Sequence, residues 1–167
     1  MAQVAFKGKP IRTFGALPKI GSRCPNFVLV DQTLSDRTLE NYAGKRKLLY
    51  FVPSLDTSVC LTSTQKIDKE MQAISNCVCL IISADLPFAQ SRICGHENLK
   101  HIITLSTLRS KDFVKDIGLL IDEGPLKGLC ARAVFVLDEN EQIIYMELVE
   151  EVTNEPNYER ALLALRQ

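Results

Sequence analysis

Two compact apolar runs, residues 47–52 and 77–83, constrain this chain more than anything else in it. Each is about one strand long and apolar on both faces. That pattern suits strands buried inside a sheet rather than at its edge. Helical spacing lies between them. Cys60, Ile67, Met71 and Ile74 recur at gaps of seven, four and three, and Asp56, Thr57 and Ser58 offer N-cap side chains just before. After the second run, Asp85 with Pro87 reads as the cap and first-turn proline of a second helix ending near Gly95. A strand over residues 102–105 and a helix over 110–117, stopped by Gly118, follow. Residues 132–137 and 142–149 flank Asp138-Glu139-Asn140-Glu141 and read as a hairpin. Residues 156–165 carry Tyr158, Ala161, Leu162 and Leu165 on one face and predict a final helix. Upstream, residues 4–14 alternate loosely around Gly8-Lys9-Pro10 and predict a hairpin, and residues 27–30 a short strand.

Strand–helix alternation requires parallel strands with right-handed crossovers, and the late hairpin makes the sheet mixed. The expectation is an α/β fold with a thioredoxin-like core: a mixed central sheet flanked by helices, with an N-terminal β-hairpin. A flavodoxin-like sheet is the other solution, but no Gly-rich phosphate loop follows the first inner strand. A length of 167 residues predicts one domain, 1–167, with residues 1–16 as a hairpin extension.

Twenty Lys and Arg balance twenty Asp and Glu, which argues against a nucleic-acid or membrane-surface partner. The N-terminus has no apolar signal region, and no run is long enough to span a bilayer. A cytoplasmic, reducing setting is therefore expected. There the six cysteines are core residues, metal ligands or catalysts rather than staples.

Cys60 stands out by position. It falls where a buried strand gives way to a helix, so it faces unpaired N–H groups and the positive end of the helix dipole. Both favour thiolate over thiol. Thr57, three residues earlier, can hydrogen-bond the sulfur or an oxygen beside it, and Pro53 can fix and shield the loop. On these grounds alone Cys60 is equally well a core residue of the helix face.

Pro53-x-x-x-Thr57-x-x-Cys60 resembles the peroxidatic motif of the peroxiredoxins. The resemblance extends along nearly the whole chain. Ser83-Ala84-Asp85-Leu86-Pro87-Phe88-Ala89-Gln90-Ser91-Arg92-Ile93-Cys94-Gly95 is similar to the resolving-cysteine segment of the atypical two-cysteine branch, the bacterial thiol peroxidases. Ile103-Thr104-Leu105-Ser106-Thr107 and Gly124-Pro125-Leu126-Lys127-Gly128-Leu129-Cys130-Ala131-Arg132-Ala133 also match that branch.

The resemblance implies a peroxidatic Cys60, a resolving Cys94 in the same chain, an active-site Thr57 and Pro53, and Arg132 beside the thiolate. It implies reduction of hydrogen peroxide and alkyl hydroperoxides through a Cys60 sulfenic acid and a Cys60–Cys94 disulfide. Thioredoxin is the implied reductant and a homodimer the implied assembly. No cofactor or metal is expected, because sulfur carries the electrons. A peroxide sensor using the same disulfide is the alternative. Both thiols fall inside predicted helices, so local unwinding is expected before they meet.

Cys24, Cys77, Cys79 and Cys130 are not required by the pattern and read as packing residues, with Cys130 two residues from Arg132. Cys77 and Cys79 are expected on opposite sheet surfaces. No Cys-x-x-Cys is present, His96 and His101 read as surface loop, and residues 124–128 do not form a P-loop. Lys45-Arg46-Lys47 and Glu150-Glu151 read as solvated charges.

Overall fold

A computed structural model describes residues 1–167. The N-terminal hairpin is present: β1 (Gln3–Phe6) pairs antiparallel with β2 (Lys9–Arg12). Its two-residue turn places Lys7 and Gly8 at positive φ, as the twist of a tight hairpin demands. Val4 and Ile11 lie opposite each other, and both are buried. The hairpin is hooked to the far end of the chain. The Ala5 N–H donates to the Glu150 carbonyl (2.6 Å), and the Val152 N–H donates to the Ala5 carbonyl (2.9 Å). The Glu151 carboxylate accepts from the N–H groups of Lys7 and Gly8. Glu151 is thus a turn clamp rather than a solvated charge.

The main sheet has seven strands: β3 (Leu29–Val30), β4 (Asp36–Arg37), β5 (Arg46–Phe51), β6 (Cys77–Ser83), β7 (Ile103–Ser106), β8 (Ala133–Leu137) and β9 (Ile143–Leu148). Their spatial order is β4-β3-β7-β6-β5-β8-β9. The β5–β6 and β6–β7 pairs are parallel; β5–β8, β8–β9 and β3–β7 are antiparallel. This is the mixed sheet that the alternation predicts, and the two longest apolar runs lie at its centre. The pair β3–β4 was not legible, because two-residue strands carry no measurable period.

The helices are α1 (Ser58–Met71), α2 (Pro87–His96), α3 (Asp112–Asp116) and α4 (Tyr158–Arg166). On one sheet face, Leu48, Tyr50, Cys79, Ile81 and Val134 pack under Cys60 and Ile67 of α1, Ile93 of α2 and Leu162 of α4. On the other, Leu49, Phe51, Leu80, Ile82 and Phe135 meet the N-terminal hairpin and Phe113 of α3. Phe51 sits between Phe113 and Phe135, with centroids 6.1 and 5.3 Å away. Each such aromatic pair contributes about 0.5–1.5 kcal/mol beyond its buried area.

Four further expectations change. Helix α1 ends at Met71, so Ile74 lies beyond it. Leu86, not Asp85, is the N-cap residue of α2, although Pro87 does open the helix. Cys77 and Cys79 pack against the same core, because residues two apart in a strand point to the same face. Lys47 is 0% exposed rather than solvated, and its ammonium donates to the Lys45 carbonyl (2.9 Å). Burial pulls its pKa down. Arg46 is also largely covered and donates to the Leu165 carbonyl. Gly118 ends α3 as expected, at φ +77°, and a Cβ there would meet the Ala16 backbone at 2.6 Å.

Candidate active site

Strand β5 delivers the chain to the site. The Val52 N–H donates to the Ile82 carbonyl, and buried Pro53 then ends the pairing because it has no N–H to give. The loop turns through Ser54, Leu55 and Asp56 to Thr57, which has extended backbone angles and is the N-cap of α1. The Thr57 hydroxyl accepts from the Cys60 N–H (3.3 Å). Cys60 is therefore the third residue of the helix, in the turn whose N–H groups lack helical partners. It is 0% exposed and lies among Val52, Leu55 and Tyr50 in the core beneath α1.

Arg132 arrives from the other side. The β5–β8 register pairs Phe51 with Ala133, so the residue before β8 comes beside the end of β5. Arg132 is 2% exposed. Its Nε donates to the Val152 carbonyl (2.8 Å) and its Nη1 to the Tyr50 hydroxyl (2.9 Å). Burial alone would lower its pKa. The hydrogen-bonded Tyr50 hydroxyl and the nearby Cys60 sulfur more than offset that. Burial pushes the Tyr50 phenol up to about 12, against the opposing pull of Arg132. Tyr50 thus stays a neutral hydroxyl near neutral pH and can accept from the guanidinium. The Ser63 hydroxyl donates to the Val59 carbonyl (2.9 Å) and also borders the phenol.

The structure therefore brings Pro53, Thr57, Cys60 and Arg132 to one end of the sheet. Cys94 is not bonded to them. It lies in the last turn of α2, buried, with its sulfur facing the side chains of Gln32 and Thr104. Those two are joined by a 2.7 Å hydrogen bond from Gln32 Nε2 to the Thr104 hydroxyl. Burial raises the Cys94 pKa, with Gln32 and Thr104 opposing. All six cysteines are free thiols. Burial pushes Cys24 and Cys130 up to about 12 and raises Cys77 and Cys79 as well. Cys130 packs in the core on the opposite sheet face from Cys60. A groove of about 370 Å³, lined by Leu55, Leu61, Arg92, Ile93 and His96 among others, runs between α1 and α2.

No three His, Cys, Asp or Glu side chains converge to hold a metal ion. His96 faces Glu97 (2.9 Å), and the His101 backbone N–H donates to Asp68. No helix is long and apolar enough to cross a membrane.

Sequence reasoning missed Tyr50 and misassigned Asp85. A signal for Tyr50 existed: a tyrosine inside a buried strand must place its hydroxyl against a partner. Asp85 sits under the active-site loop, where its carboxylate accepts from the Ser54 hydroxyl and the Leu55 N–H, both at 2.7 Å.

Residues 19–162 match the Redoxin family. A thiol peroxidase of Leptospira interrogans is 46% identical over 166 residues, spanning 98% of this chain and 97% of its own. The crystal structure of a peroxiredoxin-like protein from Aquifex aeolicus superposes with a TM-score of 0.94 at 36% identity, over 99% of this chain and 96% of that one. A thiol peroxidase from Chromobacterium violaceum superposes at 0.90 and 26%, over 98% and 94%. The fold is the thioredoxin-like fold of the peroxiredoxins, and the activity is that of a peroxidase oxidoreductase. By family model, by relative and by fold alike, the chain belongs to the Redoxin family and, within it, to the thiol peroxidases.

Proposed function

We propose that this thiol peroxidase reduces hydrogen peroxide and organic, chiefly alkyl, hydroperoxides through Cys60 and Cys94 and is recycled by thioredoxin. The observation that carries the reading is the buried Arg132 guanidinium, fixed by Tyr50 and Val152 and facing the sulfur at the start of α1. The Cys60 thiolate attacks one peroxide oxygen in line, and the O–O bond breaks. One oxygen stays on sulfur as sulfenic acid; the other leaves as alkoxide or hydroxide and takes a proton from solvent. Arg132 and the helix-start N–H groups stabilise that moving charge, joined by the Thr57 hydroxyl once its proton turns from the Ser54 carbonyl. Pro53 shields the sulfur.

The Cys94 thiolate then attacks the Cys60 sulfur. The S–O bond breaks, hydroxide leaves as water after protonation, and an intrachain disulfide remains. A dithiol of thioredoxin exchanges with it and restores both thiols. The disulfide needs Cα atoms within about 7 Å, so the first turn of α1 and the last turn of α2 unwind locally to form it.

The chain is further proposed to work as one domain, residues 1–167 with the hairpin 1–16 as an extension, in a homodimer in the cytoplasm. Support for the homodimer is the exposure of Leu86, Phe88 and Leu108 beyond the carboxyl ends of β6 and β7, the sheet end that also carries Cys60. The deciding experiment is thioredoxin-coupled turnover across several hydroperoxides, with the disulfide mapped by mass spectrometry. Cys60→Ser should abolish turnover. Cys94→Ser should allow one fast oxidation and no cycling. A single stoichiometric oxidation of the parent chain, without turnover, would instead favour a sensor.

A further inference from the structure

The Asp85 carboxylate holds the loop before α1 and, through Ser83 of β6, is linked to Gln90 of α2. Its Oδ1 accepts from the Ser54 hydroxyl (2.7 Å), and its Oδ2 accepts from the Leu55 N–H (2.7 Å) and the Ser83 hydroxyl (2.7 Å). Ser54 and Leu55 lie between Pro53 and the Thr57 cap, so these bonds hold the loop that positions Cys60. On the other side, the Ser83 hydroxyl also accepts from Gln90 Nε2 (3.1 Å), which donates in addition to the Leu105 carbonyl (3.1 Å). Gln90 is in α2, one turn before Cys94. The Asp85 main chain is pinned as well: its carbonyl accepts from the Ser106 hydroxyl (2.6 Å). The carboxylate thus cannot follow the loop when the loop leaves. Bonds from a neutral donor to a carboxylate are short and roughly twice as strong as neutral pairs.

We propose that Asp85 is a positioning residue that latches the Cys60 loop to the base of the Cys94 helix, favouring peroxide attack over disulfide formation. The inference rests on the Cys60–Cys94 disulfide proposed above. With the latch closed, Thr57, Pro53 and the first turn of α1 keep the geometry that attacks peroxide. With it open, the Cys60 turn unwinds and its sulfenic acid meets the Cys94 thiolate, losing water. A sulfenic acid held under a closed latch stays exposed to a second peroxide, which adds an oxygen to give sulfinic acid and leaves as water or alcohol. The strength of this latch therefore sets the peroxide concentration at which the enzyme inactivates itself.

Asp85→Asn tests this. The amide matches the carboxylate in size, but its NH2 cannot accept on one side. Reduced protein is mixed rapidly with peroxide, quenched over time and read by mass spectrometry for Cys60 as sulfenic acid, disulfide or sulfinic acid. Asp85→Asn should slow sulfenic acid formation and speed the disulfide step, each by about tenfold, roughly one charge-assisted hydrogen bond. The sulfinic fraction at equal peroxide should fall. Ser54→Ala, which removes one of the three bonds, should shift both rates the same way by less, and the double variant should not exceed Asp85→Asn. Asp138→Asn removes a carboxylate charge away from the site, in the β8–β9 turn where an amide Oδ1 can still accept from the Asn140 and Gln142 N–H groups, and should leave the partition unchanged. If Asp85→Asn and Ser54→Ala both form the disulfide at the parental rate, the latch is overturned while the disulfide reading stands. If the parent itself forms no Cys60–Cys94 bond, the disulfide reading falls and takes the latch with it.

Discussion

Replacing Tyr50 by Phe removes a single oxygen from the centre of the site. That oxygen accepts from Arg132 Nη1 at 2.9 Å, and both residues are buried. A hydrogen bond to a charged group contributes about 1.5–3 kcal/mol, and a buried N–H left without a partner forfeits that range. Arg132 keeps its second anchor, the Val152 carbonyl, so it stays in place but loses the restraint that aims its fork. If the lost restraint is felt in the transition state, each 1.36 kcal/mol slows the reaction about tenfold, so sulfenic acid formation should slow by roughly 10- to 100-fold. The assay is stopped-flow oxidation of the reduced protein by hydroperoxide, paired with a urea melt. Reduction of preformed disulfide by thioredoxin should keep its parental rate, because Arg132 serves the peroxide step. Oxidation within twofold of the parent, in a protein that still melts cooperatively, would refute the view that Tyr50 aims Arg132.

Stability should also follow pH at both extremes. Cys24, Cys130 and Tyr50 are raised by burial to about 12, so the folded chain holds protons that the unfolded chain has released. Their contribution is complete below about pH 8.5, and urea midpoints should fall as pH climbs from there toward 12. On the acid side, burial pushes Asp31 up, but Thr33, Arg37 and the backbone of Ser35 more than offset it and hold it near 2. That stability is present above about pH 4 and lost as pH falls toward 2, and Asp31→Asn should flatten this limb of the melting curve. Gly118→Ala should destabilise by more than about 1 kcal/mol in equilibrium unfolding, because it meets both a positive φ and the Ala16 backbone. Lys47→Met should be neutral or stabilising by about 1 kcal/mol in the same measurement, since it removes a buried charge of lowered pKa.

What the sequence disclosed was what is local. Strands β5 and β6 announce themselves by uninterrupted apolar residues, and Thr57 by its place before a helical spacing. The cap is seen as expected because it spans three residues. The site's supports were hidden for the opposite reason. Arg132 and Tyr50 are 82 residues apart, Asp85 and Leu55 30 apart, and nothing in either neighbourhood names the other. Asp85 looked like a cap because aspartate before a helix usually is one; tertiary partners captured it instead. Lys47 was misread because a lysine in a short basic cluster normally faces water, whereas the sheet interior claimed its whole stem. Four cysteines were separated from two by likeness to a known family, not by chemistry visible in the chain. Burial does not separate them either, and the contrast lies in their neighbours: Arg132 beside Cys60, and Gln32 and Thr104 beside Cys94.

The hook between the N-terminal hairpin and residues 150–152 bears on how this enzyme is handled. A trimmed version starting at residue 19, where the family match begins, would retain every residue of the proposed site. It would lose Ala5, whose N–H and C=O hold the chain on either side of Glu151. The carbonyl that anchors Arg132 belongs to Val152, inside that clasp. The first dozen residues are thus a remote buttress for the guanidinium, and shortening or crowding that end should be felt at the sulfur.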